Sequence, residues 1–269
     1  MTIKNQVALV TGGGGGLGLA IAEALAAAGA AVAVLDVTQE KADTAVKHLS
    51  GLTCGRLAAI EVNVADPDSV ASAFLKIDGQ FSQIDILVNC AGVREVKTIY
   101  DLEPKEWQRV ININLCGSFY CAREAALRMR KSGGGSIINI TSVAGIMGIT
   151  HRPAYTASKH GLIGLTKNLA CDLAADGIRV NAVAPGTIRT PLTEGYYSDS
   201  NFVEGLKEVV PLGAGGDPQD VADAVVYLCS RQAKFITGIV LPVDGGWASS
   251  KSYTVGKGAS PYTSASNQT

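Results

Sequence analysis

Short runs of hydrophobic, mostly β-branched residues alternate with longer Ala- and Leu-rich stretches along most of the chain. The short runs have the length of strands, and the longer stretches suit helices that cross back over a sheet. Because parallel strands need such crossovers, the alternation predicts βαβ units. The predicted strands are Val7–Val10, Ala31–Leu35, Leu57–Val62, Ile84–Asn89, Ser136–Ile140, Ile178–Ala184 and Ile239–Pro242.

The predicted strands are hydrophobic at nearly every position rather than at every second one. Continuous apolar runs are typical of strands that helices cover on both faces. We therefore predict an α/β fold, a doubly wound parallel sheet of seven strands with helices on both faces. The chain has 269 residues, which suits one such domain, and we assign that domain to residues 1–247.

Two segments break the alternation. Residues 186–212 are longer than an ordinary connection between a strand and a helix, and long connections of this kind often cover a binding site. We predict that this segment is a substrate lid. Residues 248–269 are rich in Ser, Thr, Gly and Lys, which predicts a solvated tail or an arm that lies on a neighbouring subunit.

Charge and composition narrow the function classes. The formal net charge of −1 at pH 7 gives no electrostatic reason to expect binding to nucleic acid or to an anionic membrane. The chain starts without an apolar signal region, and no apolar run reaches membrane-spanning length. The six cysteines form no C-x-x-C pair and the three histidines form no ligand cluster, so we expect neither a metal site nor disulfides. These features favour a cytoplasmic protein that binds a small molecule.

A glycine-rich loop follows the first predicted strand. It reads Thr11-Gly12-Gly13-Gly14-Gly15-Gly16-Leu17-Gly18, and a helix is predicted to begin near Leu17. Glycines let backbone N–H groups and the N-terminus of the helix approach a pyrophosphate. A glycine loop can also be an ordinary turn, but here it has the strand before it and the helix after it that a dinucleotide-binding motif requires.

An acidic residue follows this motif at the end of the second predicted strand. Asp36 lies 18 residues beyond Gly18, where a carboxylate accepts hydrogen bonds from the adenosine ribose hydroxyls of NAD. The same charge would repel the 2′-phosphate of NADP. We therefore predict NAD as the cofactor, although Asp36 also suits a helix cap at this junction.

Candidate acid–base chemistry lies in the run Tyr155-Thr156-Ala157-Ser158-Lys159. On a helix, Tyr155 and Lys159 project from the same face. An ammonium group beside the phenol favours the phenolate, so we expect Lys159 to lower the pKa of Tyr155 and make it a usable general acid or base. Ser142 follows a predicted strand and lies at the edge of the sheet where ligands bind.

These motifs, in this order, resemble the classical short-chain dehydrogenase/reductase family over the chain up to about Trp247. The resemblance implies a Rossmann-like sheet, catalytic roles for Ser142, Tyr155 and Lys159, and a proton relay that Asn114 completes through water. Since members of the family commonly form tetramers, it also implies a homo-oligomer. The residues that carry the resemblance are the loop from Thr11 to Gly18, Asn89-Cys90-Ala91-Gly92, Asn114, Ser142, Tyr155-x-x-x-Lys159 and Pro185-Gly186.

The same resemblance implies a set of cofactor contacts. Asn63 stands where the family usually has Asp, and we expect its amide still to meet the adenine edge. Cys90 replaces the commoner Asn, which we expect to be a packing change. With Asp36, the implied contacts are Gly12, Gly16, Leu17, Gly18, Asn63, Val64, Asn89, Ala91, Gly92, Tyr155, Lys159, Pro185, Gly186 and Ile188.

The substrate is predicted from residues outside the motifs. Arg94, His151 and Arg152 flank them, and Tyr196 lies in the predicted lid. A pocket with such donors suits a sugar, a polyol or a hydroxy acid, unless both arginines point to solvent. A 3-oxoacyl-thioester or small-ketone reductase is the alternative. A noncatalytic nucleotide-binding scaffold is a third interpretation, and the presence of both Tyr155 and Lys159 disfavours it.

Overall fold

The computed structural model of the chain describes residues 3–53, 55–191 and 193–249. They contain one seven-stranded sheet in which all neighbouring strands are parallel. The strands are β1 (Val7–Thr11), β2 (Ala31–Asp36), β3 (Leu57–Glu61), β4 (Ile86–Asn89), β5 (Gly135–Ile140), β6 (Ile178–Pro185) and β7 (Val240–Val243). Their order across the sheet is β3-β2-β1-β4-β5-β6-β7.

Helices connect the strands and cover both faces of the sheet. A π-helical turn, Asn112–Cys116, joins the fourth helix to the fifth. The α-helices in the described ranges are α1 (Gly16–Ala27), α2 (Gln39–Ser50), α3 (Pro67–Asp78), α4 (Pro104–Ile111), α5 (Gly117–Ser132), α6 (Pro153–Asp172), α7 (Glu194–Tyr197), α8 (Ser200–Val209) and α9 (Pro218–Cys229). The predicted fold class, a doubly wound parallel α/β sheet, is confirmed.

Consecutive residues of a strand face opposite sides of the sheet, and here each side has its own hydrophobic layer. Val10 of β1 packs on one side with Leu25 of α1 and Val225 of α9. Leu9, its neighbour in sequence, packs on the other side in a layer that includes Phe74 of α3. Because both sides are covered, nearly every strand residue is apolar, and this is why the strands could be located from the sequence.

The strand boundaries differ from the predicted ones by one or two residues. The largest shift is at β4, which begins at Ile86 rather than at Ile84. Before it, the Asp85 carboxylate accepts a hydrogen bond from the Val7 N–H at 2.7 Å. The Asp85 N–H also donates to the Val7 carbonyl at 3.0 Å, so a side chain and the backbone both join the two segments just before β4.

The order of the strands reverses at β1, which lies between β2 and β4. At such a switch point the connections leave in opposite directions, and a crevice opens at the carboxyl ends of the strands. Thr11, at the end of β1, joins the two sides of this crevice, since its Oγ1 accepts hydrogen bonds from the N–H groups of Cys90 and Ala91, both at 3.1 Å. The glycine loop is thereby held beside the turn that follows β4.

The predicted lid, residues 186–212, contains two helices, α7 and α8. Tyr196 and Tyr197 of α7 pack against Phe202 of α8, the first tilted and the second edge to face, with ring centroids 5.3 and 5.6 Å from that of Phe202. That this segment is a substrate lid stays a prediction. The predicted tail begins in a short 3-10 turn, Trp247–Ser249, and residues 250–269 lie outside the described residues. Within the described ranges, none of the helices combines the length and the hydropathy needed to span a membrane.

Candidate active site

A cleft of about 770 Å³ lies at the carboxyl edge of the sheet and follows the crevice at the switch point. Its size is that of a cavity for a cofactor or small ligand. Residues from the loops after β1 to β6 line it. Among them are these predicted cofactor contacts: Gly12, Gly16, Leu17, Gly18, Asp36, Asn63, Val64, Ala91, Gly92, Tyr155, Lys159, Pro185, Gly186 and Ile188.

Asn89 is the predicted cofactor contact that does not line the cleft. Its side chain is buried and its Nδ2 donates to Asn139 Oδ1 at 2.9 Å and to the Ser118 carbonyl at 3.2 Å. These bonds join β4 to β5 and to α5. In this structure Asn89 therefore shapes the cleft by fixing the elements behind it, and not through a direct contact.

The glycine loop forms a cradle that fits a pyrophosphate. The N-cap of α1 is Gly15, which has no side chain to cap the helix, and the first turn carries no acidic residue. The first N–H groups of α1 can therefore bind an anion. A Cβ atom at Gly18 would lie 2.1 Å from the Gly12 carbonyl oxygen, so only glycine allows the loop to pack this closely. At Gly15 and Gly16 a Cβ would meet no atom within 4 Å.

Asp36 is held rigidly at the end of the cleft beside the glycine loop. Its Oδ2 accepts a hydrogen bond from the Gly14 N–H at 2.9 Å, and its Oδ1 accepts one from the Val37 N–H at 2.8 Å. Each carboxylate oxygen keeps a lone pair for a ribose hydroxyl. Lys41 of α2 also lines this end of the cleft, and the motifs gave no signal for it.

Ser142, Tyr155 and Lys159 come together at the other end. Ser142 follows β5, its Oγ accepts a hydrogen bond from the Ala144 N–H at 3.1 Å, and its side chain is hydrogen-bonded to Tyr155. Lys159 lies one helical turn after Tyr155, with its Nζ 5.6 Å from the centre of the phenol ring. The same Nζ donates to the Ile140 carbonyl at 2.8 Å. A hydroxyl, a phenol and an amine thus share one wall of the cleft.

The electrostatics of this wall differ from the expectation that Lys159 lowers the pKa of Tyr155. Burial raises the pKa of Tyr155 above its ordinary value, and the opposing influences are the Ser142 hydrogen bond and the positive charges of Arg152 and Arg94. Burial also lowers the pKa of Lys159 to about 8, because a buried ammonium group loses hydration. Arg152 and Arg94 therefore add to the positive charge near the phenol, where the Lys159 Nζ also lies, and burial outweighs their effect on the pKa of Tyr155.

Asn114 lies in the π-helical turn and is fully buried. Its Oδ1 accepts from the Val93 N–H at 2.9 Å, and its Nδ2 donates to the Val93 carbonyl at 2.9 Å and to Ser158 Oγ at 3.0 Å. The side chain is therefore committed to holding the loop after β4 against α6. A role in a water relay stays a prediction.

The four predicted substrate residues occupy different positions. Arg94 lines the cleft, its Nη2 donates to Tyr196 Oη at 3.0 Å, and its guanidinium lies 5.1 Å from the centre of that ring. Tyr196 itself does not line the cleft, and its hydroxyl contacts the lining residue Arg94. Arg152 is the N-cap residue of α6 and does not line the cleft, although its charge acts on Tyr155. His151 is exposed and does not line the cleft, and its carbonyl accepts from the Lys97 N–H at 2.9 Å.

Several cleft residues were not predicted. Thr190, Pro191 and Thr193 line the cleft, and the unusual length of residues 186–212 was the signal that could have identified them. Arg109 also lines it, but it lies on α4, far in sequence from every motif. Cys90 is a further lining residue, and burial raises the pKa of its thiol to about 12, so the thiol is neutral near pH 7.

Comparisons with known proteins agree with this arrangement. A family model described as Enoyl-(Acyl carrier protein) reductase matches residues 13–248. The chain is 38% identical over 246 residues to the 3-oxoacyl-(acyl-carrier-protein) reductase FabG of Thermotoga maritima. That alignment covers 91% of this chain and 99% of the relative.

Two solved structures extend the comparison. A short-chain type dehydrogenase/reductase from Mycobacterium ulcerans superposes with a TM-score of 0.89 at 31% identity, over 92% of this chain and 91% of that one. A gluconate 5-dehydrogenase from Burkholderia cenocepacia, solved in complex with NADP and tartrate, gives a TM-score of 0.88 at 33% identity. It is matched over 93% of this chain and 98% of its own.

Proposed function

The chain belongs to the short-chain dehydrogenase/reductase family and is an oxidoreductase that acts on CH–OH groups, and we propose that it uses NAD(H) to interconvert a secondary alcohol and a carbonyl on a hydroxy acid, a sugar or a polyol. One observation carries the choice of substrate. The Arg94 guanidinium lines the cleft, and Arg152, at the N-cap of α6 three residues before Tyr155, adds a second positive charge near the phenol.

The choice of NAD(H) is supported by Asp36. Its carboxylate lines the adenosine end of the cleft and is fixed there by two backbone N–H groups. A fixed negative charge at this position would repel a 2′-phosphate, whereas it would accept hydrogen bonds from two ribose hydroxyls. The gluconate 5-dehydrogenase of Burkholderia cenocepacia was solved with NADP, so the cofactor choice here depends on Asp36 and not on the relatives.

When bound, the nicotinamide accepts or delivers the hydride. We assign to Tyr155 the transfer of the hydroxyl proton, because its phenol faces the cleft beside Ser142. The Ser142 hydroxyl orients the substrate oxygen, and Lys159 holds the nicotinamide ribose. Asn114 fixes the loop at Val93 against α6 and is assigned the inner end of the proton relay.

A hydroxy acid suits the positive end of the cleft best. Burial is the main cause that lowers the pKa of Arg94, and the nearby charge of Arg152 lowers it further. The charge of Arg152 thus disfavours the charge of Arg94, and a substrate carboxylate bound at Arg94 would offset that effect through charge-assisted hydrogen bonds. Sugars and polyols are compatible with the same donors but gain less from the charge.

This proposal is tested with a hydroxy acid and its uncharged counterpart, the corresponding diol. Arg94→Ala should lower kcat/KM for the acid by about 10- to 100-fold more than for the diol, because a hydrogen bond to a charged group is lost only with the acid. Arg94→Lys, which keeps the charge, should recover part of the difference. An equal loss for both substrates would contradict a carboxylate contact.

A second candidate function rests on the relative from Thermotoga maritima. That protein is a 3-oxoacyl-(acyl-carrier-protein) reductase with 38% identity to this chain. Reduction of a 3-oxoacyl thioester uses the same Ser142, Tyr155 and Lys159 arrangement in the opposite direction. It would be favoured if acyl thioesters were reduced and the polar alcohols were not oxidised.

A homo-oligomer is proposed as well, a tetramer by resemblance to the family. The exposed face of α5 supports it, since Phe119 and Leu127 are 43% and 46% exposed there. A shallow apolar groove includes both residues together with Leu169 and Leu173. Another copy of the chain would remove this surface from water, and a molar mass from light scattering tests it.

A further inference from the structure

Glu95 is a buried acid that the assigned chemistry does not use. It follows Arg94 in the loop after β4, and it is 8% exposed. Its Oε1 accepts hydrogen bonds from the backbone N–H groups of Ala154, at 2.8 Å, and Tyr155, at 3.0 Å. These residues lie 59 and 60 positions away in sequence, so the contact joins two distant parts of the chain.

The bonds satisfy a need at the start of α6. The helix begins with Pro153, and its N-cap residue, Arg152, makes no side-chain cap hydrogen bond. The next N–H groups of a helix usually bond to an acceptor on the N-cap side chain, which arginine does not have. The Glu95 carboxylate takes that place from outside the helix, and its negative charge lies at the positive end of the helix dipole.

Helix α9 shows the ordinary arrangement. It also has proline, Pro218, at its first position, but its N-cap residue Asp217 forms a capping box with Asp220. In this box the side chain of each aspartate accepts a hydrogen bond from the backbone N–H of the other, so residues of the helix start itself satisfy these N–H groups. The cap of α6 differs because it is supplied by the loop that also carries Arg94.

A second contact ties the same loop to the same helix start. The Lys97 N–H donates to the His151 carbonyl at 2.9 Å. His151 has a φ of 60°, a left-handed conformation that a non-glycine residue rarely adopts without support from its surroundings. The entry into α6 is therefore fixed from outside by two residues of the loop after β4, Glu95 and Lys97.

Since Tyr155 is the second residue whose N–H Glu95 binds, we propose that Glu95 is a positioning residue that sets the place of the Tyr155 phenol relative to Ser142 and the substrate. The loop after β4 carries Arg94 on the cleft wall and, through Glu95, also fixes the acid–base residue Tyr155. The same loop therefore positions both a substrate contact and the group that transfers the proton. This inference rests on the proposed role of Tyr155. Glu95 Oε2 is buried and has no hydrogen-bond partner among the described residues. The hydrogen bonds of the carboxylate within those residues are therefore the ones that Oε1 accepts from the helix start.

The test compares three variants. Glu95→Ala should lower kcat by about 10- to 100-fold, because small displacements of a catalytic group carry costs of this size, while the KM for NAD changes less than about twofold. Glu95→Gln keeps an acceptor oxygen and should recover at least about half of the lost kcat on a logarithmic scale. Asp217→Ala removes the matched cap of α9 and should leave kcat within about twofold of wild type.

A substrate-free measurement separates this inference from the proposed function. Hydrogen–deuterium exchange of the peptide over residues 153–159 should be about tenfold faster in Glu95→Ala and unchanged in Asp217→Ala. Unchanged exchange overturns the inference whatever the substrate is. Faster exchange with kcat within twofold of wild type, or an equal kcat loss in Asp217→Ala, also overturns it. Failure of wild-type protein to oxidise any hydroxy acid, sugar or polyol would instead count against the proposed function alone.

Discussion

The phenol of Tyr155 has to lose its proton in a place that disfavours charge. Burial raises its pKa, and Arg152 and Arg94 offset part of that effect. Because alcohol oxidation requires the phenolate as the base, turnover in that direction should rise with pH through the pKa of Tyr155. Single charges near the phenol therefore control where on the pH scale the enzyme becomes active.

Arg152→Ala removes one of these positive charges. Without it the phenolate is less favoured, the pKa of Tyr155 rises, and the rising limb of the kcat profile for oxidation should move to higher pH. Arg152→Lys keeps the charge and should keep the wild-type midpoint. The measurement is kcat against pH for the three proteins, and a midpoint that stays or falls in Arg152→Ala would contradict this electrostatic role.

Residues with local signatures were the ones that the sequence could predict. Tyr155 and Lys159 are spaced for one helix face, and Asp36 follows a strand at the expected distance from the glycine loop. Glu95 has no such signature, because it caps a helix that begins 58 residues later and only the folded chain brings the two together. The direction of the Tyr155 pKa also depends on burial, which the sequence does not state.

At the level of elements, the junction of β1 and α1 depends on close backbone contact. Gly18 lies in the first turn of α1 against the Gly12 carbonyl, whereas Gly15 faces open space. The apolar runs located the strands because two hydrophobic layers make the strands apolar throughout. Their ends were less predictable, since just before β4 the Asp85 side chain adds a hydrogen bond to the Val7 N–H beside the backbone bonds there.

Gly18→Ala tests this junction. The added methyl group would lie 2.1 Å from the Gly12 carbonyl oxygen, so α1 must shift, and the free energy of unfolding should fall by roughly 1–3 kcal/mol. Gly15→Ala is the matched control, with no atom within 4 Å of its Cβ, and should lower the free energy by about 1 kcal/mol or less, the cost of alanine at an N-cap. Urea unfolding measures both. Equal stability of Gly18→Ala and wild type would show that the contact is not restrictive.

For the whole molecule, the strand order explains why distant residues meet. The reversal at β1 brings the ends of β1 and β4 together, and the motifs of the first and second halves of the chain then line one cleft. Family resemblance located most of this cleft from the sequence. Lys41 and Arg109 were missed because helices place them there, and no motif includes them.

The central claim is an NAD-dependent dehydrogenase of polar alcohols, and one assay tests it most directly. Formation of reduced nicotinamide is followed by absorbance with NAD or NADP and a panel of hydroxy acids, polyols, sugars and simple secondary alcohols. We expect oxidation of the polar substrates with kcat/KM at least about tenfold higher for NAD than for NADP, and a loss of at least about 100-fold in Tyr155→Phe. A preference for NADP, or an inert panel together with reduction of 3-oxoacyl thioesters, would contradict the account.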